Sequence, residues 1–339
     1  MDHIRALNSL RGLAAMVVVI AHYERSINAF GGFSGRGSGQ IGVMIFFVLS
    51  GFLMSYLYLQ ENFNKTQLYK YFVARLARVA PLFIIVVVVS YFFQITNIKG
   101  VFYNISSLEE VASHVLLLSG KSVLWTIPPE IHFYILFVFL WCVYSKSPKL
   151  MLVIIAAAFV FLNYLDYPVY KWRTELGLLI DFRLPKLLSY FLLGVLIGAI
   201  YNSWHTSEKI KSNYYAVILV IIPLLYPKVF TAVFGFTHEM WKDLIVLFGL
   251  GMWFVSILFL IPARNFILSN KLGDFLGKIS YSLYLLHLPT RKLLQEHAVN
   301  APVFFFVIYI LSSIMIAYLS YLIIENPLRK AIRKKLKIN

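Results

Sequence analysis

The sequence predicts an all-α fold, a polytopic membrane bundle of about ten transmembrane helices. Of the 339 residues, 60% are hydrophobic and 14% are charged, whereas a soluble domain has about half and about a quarter. Several apolar runs can cross a hydrocarbon core of about 30 Å, which takes about 20 residues as a helix. Cys142 is the single cysteine, so no disulfide within the chain is expected.

Ten candidate spans follow one another along the chain. They cover residues 9–27, 41–60, 79–97, 130–145, 149–165, 184–201, 213–227, 243–262, 279–296 and 301–325. The first run lacks a small-residue cleavage site and is therefore expected to remain as a span. We predict a single membrane-embedded domain over residues 1–339, without a fused soluble domain.

The formal net charge of +16 raises the question of a nucleic-acid partner. The basic residues lie between apolar runs rather than in one stripe with stacking aromatics, which indicates contact with membrane lipids and no nucleic acid. Lys and Arg are frequent in residues 61–78 and 329–337. Because basic loops stay inside, both termini are predicted to be cytoplasmic.

Arg11 and His22 lie on one face of the first span. They are eleven positions apart, which on an α-helix leaves a rotation of about 20° after three turns and a rise of about 16 Å. A ligand with an anionic head at Arg11 would place its far end at His22. The alternative is an arginine that reaches the membrane surface and a histidine that is satisfied by neighbouring backbone.

Arg75 and Arg78 stand three positions apart before Pro81, at the inner mouth of the third span. On a helix they share a face and form a fork suited to phosphate groups. Arginines that only anchor a span at the inner surface give the same pattern.

Glu130 follows Pro128 and Pro129 at the start of the fourth span. Two prolines suit the first turn of a helix, where the helix N-terminus also favours a carboxylate. His22 is expected at the same outer level, and a carboxylate beside an imidazole is a common acid–base arrangement. The alternative is a glutamate that only caps the helix at the interface.

Ser280, Tyr284 and His287 share a face of the ninth span because they are separated by four and three residues. This polar strip fits either the hydroxyl groups of an acceptor or hydrogen bonds between spans.

These residues belong to segments that resemble motifs of the acyltransferase-3 family of membrane-bound acyltransferases. The segments occur in the family's order and cover nearly the whole chain: Leu10–His22, Gly42–Leu53, Arg75–Pro81, Trp125–Tyr134, Ile279–His287 and Glu325–Pro327. The resemblance implies ten spans, a cytoplasmic acyl-CoA donor, usually acetyl-CoA, and acylation of extracytoplasmic glycans.

Roles for individual residues also follow from the resemblance. It implies that His22 is the catalytic histidine and Glu130 its essential acidic partner. It assigns the donor-side contacts to three arginines: Arg11, Arg75 and Arg78.

The sequence departs from the family pattern at four of these positions. Asn8 stands where members often carry Asp, and Met44 where many carry Asp or Glu. Pro128 and Pro129 replace the commoner Ser-Val pair. Some members also carry a fused soluble hydrolase-like domain, which is not expected here.

Together these observations predict an integral membrane O-acyltransferase of the bacterial inner (cytoplasmic) membrane. It would move an acetyl group from cytoplasmic acetyl-CoA to a hydroxyl of O-antigen, capsule, exopolysaccharide or a lipid-linked sugar. Envelope-glycan assembly proteins are expected partners, and no metal is expected. Candidate acceptor-binding or oxyanion-stabilising residues are Trp125, Ser282, Tyr284 and His287.

A transporter or flippase for lipid-linked glycans is the alternative function, with the intramembrane charges lining its path. Transporters often contain internal repeats with matching broken helices. The two halves of this sequence show no such repeat, which favours the enzyme.

Overall fold

Helices dominate the computed structural model, which describes residues 2–28, 30–35, 37–96, 98, 101–164, 170–204, 210–298 and 301–336. The α-helices of these segments are α1 (Asp2–Ile27), α2 (Ser38–Tyr58), α3 (Lys65–Ile95), α4 (Leu108–Val115), α5 (Ile127–Lys146), α6 (Pro148–Tyr164), α7 (Leu184–Ser203), α8 (Pro227–Phe234), α9 (Leu244–Leu260), α10 (Lys271–Ala298), α11 (Pro302–Ser320) and α12 (Asn326–Lys335). The predicted all-α class is confirmed.

Four shorter or irregular elements complete the described chain. A 3-10 turn, Ser122–Thr126, leads into α5, and a longer 3-10 helix covers Asn213–Leu225. Residues Tyr170–Arg173 (β1) and Leu179–Phe182 (β2) form an antiparallel hairpin with Tyr170 opposite Phe182. A π-helical turn, Tyr321–Glu325, joins α11 to α12.

Among the described residues, six helices are long and apolar enough to cross a membrane, and a seventh span results if one bent pair is counted. Each predicted span overlaps a helix of the structure, but α6 and α9 are shorter apolar helices. A polytopic helical bundle is therefore confirmed, whereas the count of ten spans is not.

The predicted span 213–227 is a 3-10 helix over Asn213–Leu225 rather than an α-helix. At its end the chain bends by 95° into α8. Pro223 and Pro227 lie at this bend. Proline lacks a backbone donor and its ring clashes with the preceding turn, so an α-helix does not continue through this segment.

The core of the bundle places α1 between α2 and α10, while α2 also packs against α7 and α10 against α11. Buried tyrosine hydroxyls link these helices by donating to backbone carbonyls. The Tyr281 hydroxyl lies 2.7 Å from the Val79 oxygen, and the Tyr309 hydroxyl lies 3.2 Å from the Val19 oxygen. Such bonds satisfy polar groups that lipid leaves without a partner.

Glycines allow helices to approach closely, as two of them show. A Cβ atom at Gly194 of α7 would lie 2.1 Å from the Val48 carbonyl oxygen of α2, and one at Gly277 of α10 would lie 2.1 Å from the Asn8 carbonyl oxygen of α1. Both neighbours are backbone atoms, so the helices themselves would have to separate. Small residues at such contacts are the usual device of membrane helix packing.

Gly194→Ala is expected to lower the unfolding temperature of the detergent-solubilised protein, because overpacking of this kind costs about 1–3 kcal/mol. Gly249→Ala on α9 is the matched control. Its Cβ would first meet the flexible Leu225 side chain, at 3.1 Å. Equal unfolding temperatures for the two variants would contradict the close α2–α7 packing.

Candidate active site

A cavity of about 370 Å³, which we call the outer cavity after the predicted orientation of the chain, lies between α1, α2, α7, α10 and the Ser122–Thr126 turn. Polar, aromatic and basic side chains line it, including His22, Arg25, Gln40, Trp125, Lys186 and Trp241. The cavity is large enough for a sugar ring, and His22 is part of its wall.

His22 lies near the C-terminal end of α1, with its Nδ1 atom 2.9 Å from the Val18 carbonyl oxygen. A carbonyl oxygen only accepts hydrogen bonds, so this contact assigns the ring proton to Nδ1. The Nε2 atom then keeps a free lone pair. In that tautomer the ring can accept a proton at Nε2, as a general base must.

His287 is the aromatic neighbour of His22. The ring centroids are 5.0 Å apart, and His287 Nε2 lies 3.4 Å from His22 Nδ1. His287 is completely buried, and its own Nδ1 faces the Leu283 carbonyl at 3.2 Å. One turn later on α10, Arg291 donates to the backbone oxygen of His22 at 3.0 Å. Helix α10 therefore holds the end of α1 in place around the imidazole.

An inner cavity of about 50 Å³ adjoins the outer one, and Val43 and Tyr284 line both. Its charged lining residues are Arg11, Arg78 and Glu130. The two cavities therefore follow α1 from Arg11 to His22. This agrees with the single helix face predicted for that pair.

Glu130 lies in the first turn of α5, directly after Pro128 and Pro129, as the sequence predicts. Its Oε1 atom accepts hydrogen bonds from the Ser50 hydroxyl at 3.0 Å and from the Tyr134 hydroxyl. It also interacts electrostatically with Arg11 and Arg78.

Glu130 and His22 line different cavities. The charged groups that act on His22 are Arg291 and Arg25, and no hydrogen bond joins His22 to Glu130 in the described chain. The structure thus places the Glu130 carboxylate in the inner cavity, together with Arg11 and Arg78. A catalytic role for Glu130 remains a prediction.

The three predicted donor-side arginines divide into two groups. Arg11 and Arg78 line the inner cavity, whereas Arg75 donates to the Tyr58 hydroxyl at 3.2 Å and lies over its ring at 5.5 Å. The Nε atoms of Arg11 and Arg75 are buried, and neither has a hydrogen-bond partner among the described residues. Such unpaired donors call for an explanation, and an anionic ligand would supply acceptors.

The acyltransferase-3 family model, described as an acyltransferase domain, matches residues 4–322. The chain belongs to this family. The match includes α2, α3, α5, α7, α10 and nearly all of α1, and side chains of these helices line one or both cavities.

Curated relatives are similar over 97% of this chain. They include a peptidoglycan O-acetyltransferase, OatA, of Listeria monocytogenes, 28% identical over 56% of its own length. An O-acetyltransferase OatA of Staphylococcus aureus is 27% identical over 57% of its length. The chain thus spans little more than half the length of these relatives. No solved structure matches it.

Three of the predicted acceptor-side residues lie at the cavities of this acyltransferase domain. Trp125 lines the outer cavity, Tyr284 lines both, and His287 adjoins His22. Ser282 points elsewhere: its hydroxyl donates to Glu325 at 2.6 Å, and it lines neither cavity. The Ser280–Tyr284–His287 strip therefore faces the site, while Ser282 ties α10 to the end of α11.

Sequence reasoning missed Ser50, Trp241 and Arg291. Ser50 lies within the second motif, Gly42–Leu53, and Arg291 follows His287 by four residues, on the same helix face. Both positions were therefore open to prediction. Trp241 reaches the cavity from a loop before α9, and nothing local in the sequence indicates that position.

The structure shows what surrounds Asn8 and Met44, two positions at which the sequence departs from the family pattern. The Asn8 amide donates to Asp274 at 2.8 Å, so α10 supplies a carboxylate beside this position. Met44 is fully buried among core residues. Among the residues that the structure describes, no group of three or more His, Cys, Asp or Glu side chains is placed to hold a metal ion.

Ser282→Ala is expected to lower the free energy of unfolding by about 1–3 kcal/mol, because it leaves the buried Glu325 carboxylate without this donor. In a Glu325→Gln background the same change should cost less. Thermal unfolding of both single variants and the double variant measures this coupling. Additive effects would show that the hydrogen bond carries no stability.

Proposed function

We propose that this domain is an integral membrane O-acyltransferase that moves an acetyl group from cytoplasmic acetyl-CoA to a hydroxyl of a cell-envelope glycan. One observation carries the proposal: two adjoining cavities follow α1, with arginines at one end and a histidine base at the other. The bacterial cytoplasmic membrane, with both termini in the cytoplasm, is the location that this direction of transfer requires.

The donor end is assigned to Arg11 and Arg78, with Arg75 beside them on α3. Guanidinium groups bind phosphate oxygens through paired N–H donors, and CoA carries such phosphates. The pantetheine arm would then extend along α1 over the rise of about 16 Å that separates Arg11 from His22. The inner cavity of about 50 Å³ is too small for this arm, so donor binding requires side chains around Val43 and Tyr284 to move.

His22 acts as the general base in this proposal. The acceptor hydroxyl gives its proton to Nε2 as its oxygen attacks the thioester carbonyl carbon, and the C–S bond breaks to release CoA as a thiolate. The proton then passes from the imidazolium to the thiolate or to solvent. Base assistance of this kind contributes about 10²–10⁴-fold. Transfer through a transient acyl-enzyme is the alternative route.

Glu130 is proposed to act at the donor end. Before CoA binds, its carboxylate offsets part of the positive charge of Arg11 and Arg78, and Ser50 and Tyr134 hold it there. It is then essential because it positions the arginines, rather than because it touches the imidazole of His22.

The acceptor is proposed to enter the outer cavity. O-antigen, capsule, exopolysaccharide and lipid-linked sugars all present suitable hydroxyls, and the name of the Listeria relative adds peptidoglycan. Proteins of envelope-glycan assembly would deliver such acceptors. Trp125 and Tyr284 offer aromatic faces for a sugar ring at this end.

His22→Ala is expected to reduce acetyl transfer at least about 100-fold, because the base is lost. The measurement is acetylation of envelope glycans by mass spectrometry, in a deletion strain complemented at equal protein levels in the membrane. Release of CoA by the purified wild-type protein separates an enzyme from a flippase. Unchanged transfer by His22→Ala would remove this residue from the mechanism.

Arg11→Gln is expected to raise KM for acetyl-CoA about tenfold or more with a smaller change in kcat, because a charge-assisted contact to the donor is lost. Arg5→Gln on the same helix is the control, since Arg5 is exposed and lines neither cavity. Arg11→Lys should restore part of the affinity. If donor dependence were identical in all variants, the inner cavity would not be the donor site.

A further inference from the structure

The charged side chains among the described residues that line the outer cavity are cations. Its described lining residues include the cations Arg25, Arg183 and Lys186, and no Asp or Glu is among them. Two indole rings, Trp125 and Trp241, lie beside these cations with their centroids 5.9 Å apart and their planes at 87°. A neutral sugar needs polar and aromatic contacts, but it does not need three cations.

Arg183 is already engaged within the protein. It donates two hydrogen bonds to the buried Asp181, one of them 2.8 Å from Nε to Oδ1, and it lies 5.1 Å over the Trp125 ring. This pairing orients the indole and offsets much of the positive charge of Arg183. The charge available to a ligand therefore comes from the other two cations.

Arg25 and Lys186 have no ion-pair partner within 4 Å in the part of the chain described. Glu239 attracts Lys186 electrostatically, but it does not line the cavity. Both cations line the same cavity as His22, Arg25 from α1 and Lys186 from α7. Unpaired cations converging on one cavity favour an anionic ligand.

The cavity continues into an open groove of about 910 Å³, and Arg25 and Gly35 belong to both. Glu24 is the acidic residue of this groove, but it is 1% exposed and accepts backbone N–H groups of Phe30 and Gly32. The groove gives room for several linked sugar rings, with Arg25 at the junction.

We propose that the acceptor is an anionic glycan, whose carboxylate or phosphate group is held by Arg25 and Lys186 while a neighbouring ring packs on Trp241. A hydroxyl of that ring or the next then faces His22. This inference deepens the proposed function and rests on it. It narrows the substrate class to acidic saccharides, and it makes Arg25 and Lys186 determinants of specificity.

The test uses purified protein in nanodiscs of neutral lipid, so that lipid headgroups do not compete. Three oligosaccharide probes of equal length are titrated: an oligogalacturonate, its neutral methyl ester, and a phosphodiester-linked oligosaccharide. We expect an acidic probe to bind about tenfold tighter than the ester, with an affinity that falls as salt rises. The two acidic probes distinguish a carboxylate from a phosphate.

Variants locate the binding site of the acidic probe. Arg25→Gln and Lys186→Gln should each weaken acidic-probe binding several-fold and leave the ester unaffected, whereas Lys186→Arg should retain binding. Arg173→Gln is the control, because it removes an exposed charge of the β1–β2 hairpin outside both cavities. Equal affinity for acidic and neutral probes, or an equal loss in Arg173→Gln, would overturn the proposal.

The two proposals fail in different ways. One outcome is that the acidic probe binds to both the wild type and His22→Ala, while the wild-type protein never releases CoA from acetyl-CoA. That outcome would support the anion site and refute acetyl transfer. Acetyl transfer to glycans without any preference for the acidic probe would refute only the anion site.

Discussion

Charged groups inside a membrane must be satisfied by the protein, because lipid offers neither water nor hydrogen-bond partners. This requirement organises the bundle around α1. Arg11 and His22 point into it because α2 and α10 cover their face of the helix. Glu130 likewise finds Ser50 and Tyr134. The cavities exist where these polar side chains prevent apolar packing, so the location of the candidate site follows from the cost of burying charge.

Features within one helix were predictable from the sequence. The helical repeat alone predicts that Arg11 and His22 share one face of α1. In the structure the two side chains line adjoining cavities along that helix. The position of Glu130 in the first turn of α5 follows from the two prolines before it. The strip containing Tyr284 and His287 faces α1 for the same reason of periodicity.

Features that depend on how helices rotate against one another were not predictable. Glu130 was expected beside His22, but α5 turns its carboxylate towards the arginines. Ser282 was expected at the acceptor, but it meets Glu325 instead. The 3-10 geometry of Asn213–Leu225 was also not predictable from hydropathy, because a 3-10 helix and an α-helix of equal composition have the same hydropathy. Each case is decided by contacts distant in sequence.

The unequal sizes of the two cavities suit the proposed function, in which an acyl group would cross a membrane while ions do not. A path wide enough for pantetheine at all times would admit water and small ions from both sides. Here the outer cavity of about 370 Å³ narrows at Val43 and Tyr284 to an inner one of about 50 Å³. The positive charges of Arg11 and Arg78 add an electrostatic barrier to cations at that narrow part. In the proposed reaction an anionic donor would neutralise these charges as it enters, so the electrostatic barrier would be lowered only while the donor is bound.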